Sequence, residues 1–166
     1  MTDIYKFEKI PINISGTKYF EDHKINALNY FIYQLQDPFT FEICYIGKTN
    51  NPVGRYKQHC NPNLPRGNGR FSLWLYYLAS KKEKPIIKFI WHVKGMEASE
   101  EISKIEKKEI KSHWTLGHPL LNQTIKEIEA SARIEKSKFW LLVKQYIQEQ
   151  LKDAMNRKWR SIANKE

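Results

Sequence analysis

Two strand-forming runs joined by turn residues limit most strongly what this chain can fold into. Residues 27–35 are rich in aromatic and β-branched side chains, residues 36–40 read Gln-Asp-Pro-Phe-Thr, and residues 41–46 return to strand-forming types. Asn51 precedes a proline, the usual order of an N-cap and a first helical residue. The sequence therefore predicts a β-hairpin followed by a helix over residues 52–60.

The rest of the chain adds one strand and several helices. Apolar residues recur at helical spacing over residues 71–78 and again over residues 99–114, where Ser99 is a candidate cap. Residues 86–93 alternate as a strand, with one predicted face formed by Ile87, Phe89, Trp91 and Val93. We therefore predict an α+β fold (a small α/β domain). It has a three-stranded antiparallel sheet flanked by helices, in the order β-β-α-α-β-α, plus a C-terminal helical segment.

The charge of the chain favours a polyanionic partner. Its formal net charge is +10, and nucleic acid is the commonest polyanion that proteins bind. The alternative is a basic surface that only keeps the protein soluble. Because the chain has neither a signal segment nor an apolar run long enough to span a membrane, we expect a soluble, cytoplasmic protein with no membrane partner. Cys44 and Cys60 lack zinc-type spacing, which is typical of unpaired intracellular thiols.

Two tyrosines of the hairpin form the first candidate site. A loop of about five residues would pair Leu35 with Phe41. Tyr33 and Tyr45 would then lie on one side of the sheet, although packing alone explains a tyrosine in a strand. Lys48 follows Tyr45 by three residues, and a nearby ammonium group would lower the pKa of the phenol and favour it as a general base.

The predicted helix after the hairpin carries Arg55 and His59. These residues are four apart and therefore share one face of the helix. A guanidinium group suits phosphate oxygens through two parallel hydrogen bonds. An exposed arginine on a solvated helix is the simpler explanation of this pair alone.

Glu106 lies on the apolar stripe of its predicted helix, between Ile102 and Ile110. Burial of a lone carboxylate costs several kcal/mol unless a cation is close to it. That cation could be a lysine such as Lys48 or Lys88, which would make the role structural. It could instead be a divalent metal, because magnesium takes few protein carboxylates and leaves its other positions to water and phosphate.

Asn122 ends the apolar pair Leu120-Leu121. It could be a turn residue with no other role. It could also form a hydrogen bond to the glutamate or to a metal-bound water.

The ordered set resembles the GIY-YIG nuclease family. The two name motifs correspond to Phe31-Ile32-Tyr33 and Tyr45-Ile46-Gly47, and the arginine, histidine, glutamate and asparagine follow in order. The first glycine of the family is replaced by Phe31. The resemblance spans about residues 29–122. It divides the chain into an N-terminal extension (1–26), a catalytic domain (27–123) and a basic amphipathic C-terminal segment (124–166).

The resemblance implies hydrolysis of DNA phosphodiester bonds with one Mg²⁺ or Mn²⁺ per active site. Glu106 would bind the metal, and Tyr45 or Tyr33 would accept the proton of the attacking water. Arg55 would neutralise the phosphate. The remaining positions would orient these groups or support the metal end, so that the implied catalytic set is Tyr33, Tyr45, Lys48, Arg55, His59, Glu106 and Asn122.

The apolar stripe of the C-terminal segment predicts packing on the catalytic domain or on a second copy. Its basic residues could also contact DNA, as could two arginines near the loop over residues 61–69. These candidate contacts are Arg66, Arg70, Lys138, Lys144, Arg157, Lys158 and Arg160.

Double-stranded DNA is thus the predicted partner. A compact stand-alone nuclease, restriction-like or from a mobile element or phage, fits the absence of a zinc-finger or helix-turn-helix signature. Cutting of both strands with one active site per chain favours a homodimer. The alternative is an inactive nucleic-acid-binding protein on the same scaffold.

Overall fold

The computed structural model describes residues 2–6, 28–61, 69–122 and 127–163, and its sheet and helices confirm the predicted α+β class. The strands in this part of the chain are β1 (Asp3–Lys6), β2 (Asn29–Gln36), β3 (Ile43–Thr49) and β4 (Ile86–Lys94). The helices are α1 (Pro52–Cys60), α2 (Arg70–Ser80), α3 (Ala98–Thr115), α4 (Glu127–Lys136) and α5 (Lys138–Ala163). None of these helices is both long and apolar enough to cross a membrane.

The sheet is antiparallel, with the strand order β1-β4-β2-β3. Its three longer strands are those that the sequence predicts. The fourth strand, β1, pairs with β4 from Asp3↔Lys94 to Lys6↔Trp91, within the N-terminal extension. Four residues are too few to show an alternating pattern, so only the pairing with β4 reveals this strand. Residues 7–27 of the extension and its junction lie outside the described part.

Each face of the sheet is covered by helices. On one face, Ile32, Ile46 and Val93 pack with Ile102 of α3. This helix begins at Ala98, with Glu97 at the N-cap position, so Ser99 lies inside the helix and not at its cap. The opposite face is covered by α2 and α5, and its core residues include Phe31, Tyr33, Leu35, Trp74, Phe139, Trp140 and Val143.

The register of the hairpin differs from the prediction because of Asp37. Its buried carboxylate accepts hydrogen bonds from the backbone N–H groups of Phe39 (2.9 Å) and Thr40 (3.0 Å) and from Trp74 Nε1 (2.8 Å). These contacts extend the loop to residue 42, and a bulge follows Leu35, so β3 starts only at Ile43. The predicted pairing of Leu35 with Phe41 is therefore wrong.

The observed register pairs Leu35 with Tyr45 and Tyr33 with Gly47. Because Leu35 and Tyr33 are two residues apart, Tyr33 and Tyr45 still lie on the same face. The error in the loop length therefore leaves the two phenols together.

A bulge in β4 separates residues that the sequence places on one face. Ile32 pairs with Trp91 and Tyr33 with Phe89, so one extra residue enters β4 at Ile90. Phe89 packs with Tyr33, whereas Trp91 packs with the core under α3. The predicted common face is therefore wrong beyond the bulge, because one inserted residue reverses the alternation.

The C-terminal helices share the core on the tyrosine side of the sheet. Ile134 of α4 and Val143 of α5 are buried in that core. The carboxylate of Glu42 accepts the backbone N–H of Phe139 at 2.8 Å and therefore caps the start of α5. Beyond Ile147 the described side chains of α5 are exposed, among them Met155 at 60 %. The predicted apolar stripe is thus covered only in its first part.

Candidate active site

The two tyrosines pack directly over Gly47. A Cβ atom at this position would lie 2.6 Å from Tyr33 Oη and 2.7 Å from Tyr45 Cε1, closer than real Cβ contacts allow. The ring centroids of Tyr33 and Tyr45 are 6.3 Å apart. Glycine at position 47 is therefore required for the two phenols to adopt this arrangement.

Helix α1 contributes a histidine to this pair. The helix spans Pro52–Cys60 as predicted, and the Asn51 side chain accepts the N–H of Gly54 at 2.9 Å. Two turns later, His59 Nε2 lies 2.9 Å from Tyr33 Oη, within hydrogen-bond distance. Local capping of α1 thus fixes the histidine that contacts the buried tyrosine.

Phe71 of α2 closes the cluster on its other side. Its ring centroid lies 4.6 Å from that of Tyr45 and 5.5 Å from that of His59. The sequence gives Phe71 only as a helical core residue, because its contact with Tyr45 spans 26 positions of the chain. Together, these rings limit the motion of Tyr45, which is a condition for its acting as a base.

Glu106 approaches the site from α3 and is paired with Lys48. Lys48 Nζ lies 3.4 Å from Glu106 Oε2 and donates a hydrogen bond of 2.7 Å to Ser103 Oγ. The carboxylate side chain is 21 % exposed and the lysine 40 % exposed, so solvent reaches both groups. Sequence reasoning missed Ser103, although its position one turn before Glu106 on the same helix is a usable signal.

Burial dominates the acidity of both tyrosines. The pKa of Tyr45 is raised above its usual value by burial and by the charge of Glu106, and it is lowered by Arg55. The pKa of Tyr33 is raised far above its usual range, mainly by burial and then by Tyr45. Both charged residues therefore act on the phenols, although they lie on different helices.

The predicted effect of Lys48 on Tyr45 is wrong. Residues three apart in a strand point to opposite faces, so Lys48 lies on the side of α3 and not beside the phenol. The cation that lowers the pKa of Tyr45 is Arg55, an exposed residue of α1.

Asn122 holds strand β3 in place. Its Oδ1 accepts the N–H of Ile46 at 3.0 Å, and its Nδ2 donates to the carbonyl of Ile46 at 2.6 Å. The backbone N–H of Leu121 also bonds to the carbonyl of Cys44 at 2.7 Å. Asn122 therefore fixes the backbone between Tyr45 and Gly47, whereas these two hydrogen bonds make no contact with Glu106.

The predicted DNA-binding residues occupy different environments. Arg70 Nη2 lies 3.2 Å from Glu135 Oε1, and Lys144 pairs with the same carboxylate. Both cations thus connect α4 with α2 and α5. Lys138 and Arg157 are exposed, while Arg66 and the side chains of Lys158 and Arg160 lie outside the described residues.

Comparison with known families identifies this arrangement. The GIY-YIG catalytic domain matches residues 29–116, just over half of the chain. The chain belongs to the GIY-YIG family. No curated protein and no solved structure matches it significantly.

The GIY-YIG domain is a nuclease domain, whose members generally use divalent metals and act on DNA. The matched residues include both tyrosines and Glu106, whereas Asn122 follows the match. Phe31, at the position of the first family glycine, is fully buried and stacks on His92 with ring centroids 4.5 Å apart. The phenylalanine that replaces the family glycine is thus a core residue, and its ring packs on His92 and not on the tyrosine hydroxyl groups.

Gly47→Ala should abolish nuclease activity because the added methyl group must displace both phenols. Circular dichroism should show retained secondary structure, and a plasmid-cutting assay should show the loss. Gly69→Ala is the matched control, since a Cβ at that position meets no atom within 4 Å. Equal activity of the two variants would contradict the assigned role of Gly47.

Proposed function

We propose that this protein is a divalent-metal-dependent DNA endonuclease that hydrolyses phosphodiester bonds with a tyrosine-activated water. The observation that carries the proposal is the GIY-YIG match over residues 29–116, which contains Tyr45, Arg55 and Glu106. The charges of Glu106 and Arg55 both act on the pKa of Tyr45. A carboxylate, a guanidinium and a phenol from three separate elements can supply a metal ligand, a phosphate contact and a base for phosphodiester hydrolysis.

The metal requirement fits a single carboxylate. Within the described residues, no group of three or more histidine, cysteine, aspartate or glutamate side chains could hold a metal ion. Magnesium needs only one or two carboxylates when phosphate and water supply its remaining ligands. Glu106 is partly exposed, so a cation from solvent can reach it, and a metal ion that binds there would displace the ammonium of Lys48. When bound there, the metal would polarise the phosphate and stabilise charge on the leaving oxygen.

Arg55 is proposed to bind the scissile phosphate. It is exposed on α1, and its charge acts on both phenols. A guanidinium group donates two parallel hydrogen bonds to phosphate oxygens and gains strength as negative charge builds in the transition state.

Tyr45 is proposed as the general base. Tyr33 is only 2 % exposed and its hydroxyl group is bonded to His59, whereas Tyr45 is only partly buried and thus accessible to water. The Tyr45 phenolate takes a proton from water, whose oxygen attacks phosphorus as the bond to the leaving ester oxygen breaks. The leaving oxygen then takes a proton from solvent.

Glu106→Gln should abolish cutting of supercoiled plasmid in magnesium, because the amide is a far weaker cation ligand. Binding of duplex DNA in EDTA should stay nearly unchanged. Glu101→Gln, on the same helix, is the control and should cut normally. Wild-type cutting by Glu106→Gln would exclude the metal assignment, and wild-type cutting in EDTA would exclude metal dependence.

Arg55→Ala should lower the single-turnover cleavage rate by about 100-fold or more, equivalent to about 3 kcal/mol of transition-state stabilisation. Lys57→Ala removes a cation from the same helix and should have little effect on the rate. If Arg55→Ala changed only the affinity for DNA, Arg55 would be a binding residue without a catalytic role.

The cleavage rate should rise with pH. Burial and Glu106 hold the pKa of Tyr45 above its usual value, so little phenolate exists near neutral pH. Below that pKa the phenolate fraction grows about tenfold per pH unit, and the single-turnover rate should follow it. Tyr45→Phe should lose this dependence. If Tyr33→Phe lost it instead, Tyr33 would be the base.

A further inference from the structure

A row of side chains runs along α3 from the active site. Ser99, Ser103, Lys107 and Lys111 are successive i, i+4 positions and therefore form one ridge of the helix. Near its start, Ser103 accepts the hydrogen bond from Lys48, which is itself paired with Glu106. The ridge thus joins two exposed lysines to the proposed metal site.

Within the described ranges, the charges of these two lysines have no carboxylate partner. In the neighbouring row, Lys104 pairs with Glu100 at 3.3 Å and with Glu101 at 3.5 Å. Among the residues that the structure describes, no carboxylate lies within ion-pair distance of Lys107 or Lys111. Lys108, in the row of Lys104, is likewise exposed and has no ion pair in the described part of the chain, so Lys107 and Lys111 are distinguished by their ridge, which passes Ser103 and Lys48. Exposed cations on that ridge favour an external anion beside the active site.

We propose that Lys107 and Lys111 bind the phosphate backbone of the DNA strand that extends from the active site. Together with Lys48, which lies nearest the active site, they form a phosphate-binding track. This inference rests on the proposed function. The distance along the helix axis from Ser103 to Lys111, eight residues farther on, is about 12 Å. DNA carries a phosphate about every 3.4 Å of axis on each strand, so the track covers roughly three or four phosphates.

Such a track contributes affinity without sequence preference. Lysine is a flexible point charge that contacts phosphate oxygens and does not read the bases. The two lysines lie outside the proposed catalytic groups, so they should affect the binding of DNA and not the chemical step.

The test compares the salt dependence of binding for Lys107→Gln/Lys111→Gln and for the wild-type protein. Fluorescence anisotropy with a labelled DNA duplex in EDTA measures affinity without cutting. Loss of two phosphate contacts should reduce the slope of log K against log salt by about two. In magnesium, the variant should need more DNA to reach half-maximal rate but keep its rate at saturation.

Lys104→Gln/Lys108→Gln is the matched control, because it removes the same charge from the same helix in another row. It should change the slope much less. Equal slopes for the two double variants, or an unchanged slope for Lys107→Gln/Lys111→Gln, would overturn the track. If that happened while the wild-type protein still cut plasmid, the proposed function would stand; a wild-type protein that neither binds nor cuts duplex DNA would overturn both.

Discussion

The packing of two phenol rings over a residue without a side chain is the contact on which the rest of the site depends. Tyr33 crosses the backbone of Gly47, and this places its hydroxyl group against His59 of α1. Tyr45 lies beside it and receives the ring of Phe71 from α2. Because Gly47 has no side chain, both tyrosines can contact the helices: Tyr33 contacts α1, and Tyr45 contacts α2.

The sequence predicted the long elements of the fold but not their irregularities. Alternation and the proline at position 52 are local signals, so β2, β3, β4 and α1 could be located from them. Asp37 changes the register of the hairpin through a contact with a residue distant in sequence, and the bulge at Ile90 changes the register of β4. The carboxylate of Asp37 is bonded to Trp74, and no local pattern encodes that pairing. Strand β1 is likewise not predicted, because only its pairing with the distant strand β4 reveals it.

Site residues with a local sequence pattern could be predicted, whereas contacts between distant elements could not. The sequence singles out Glu106 because a carboxylate on an apolar stripe is a local anomaly, and the structure pairs it with Lys48, one of the two lysines predicted as possible partners. The presumed neighbour of Tyr45 was wrong because sequence proximity was used in place of strand alternation. The role of Asn122 in the site stays a prediction, and its contact with Ile46 depends on a segment that runs beside β3, which no local pattern indicates. The position of a side chain such as that of Asn122 therefore depends on contacts between elements that are distant in sequence.

The core on the tyrosine side of the sheet extends beyond the end of the family match. The family match ends at residue 116, yet Phe139 and Val143 of α5 are completely buried with Trp74 beneath the sheet. Glu42, inside the matched part, caps α5. Removal of the two last helices would uncover this core and leave that carboxylate without its backbone partners. The unit that packs around one core is therefore larger than the unit that defines the family, and a fragment that keeps this core covered must extend to about residue 147.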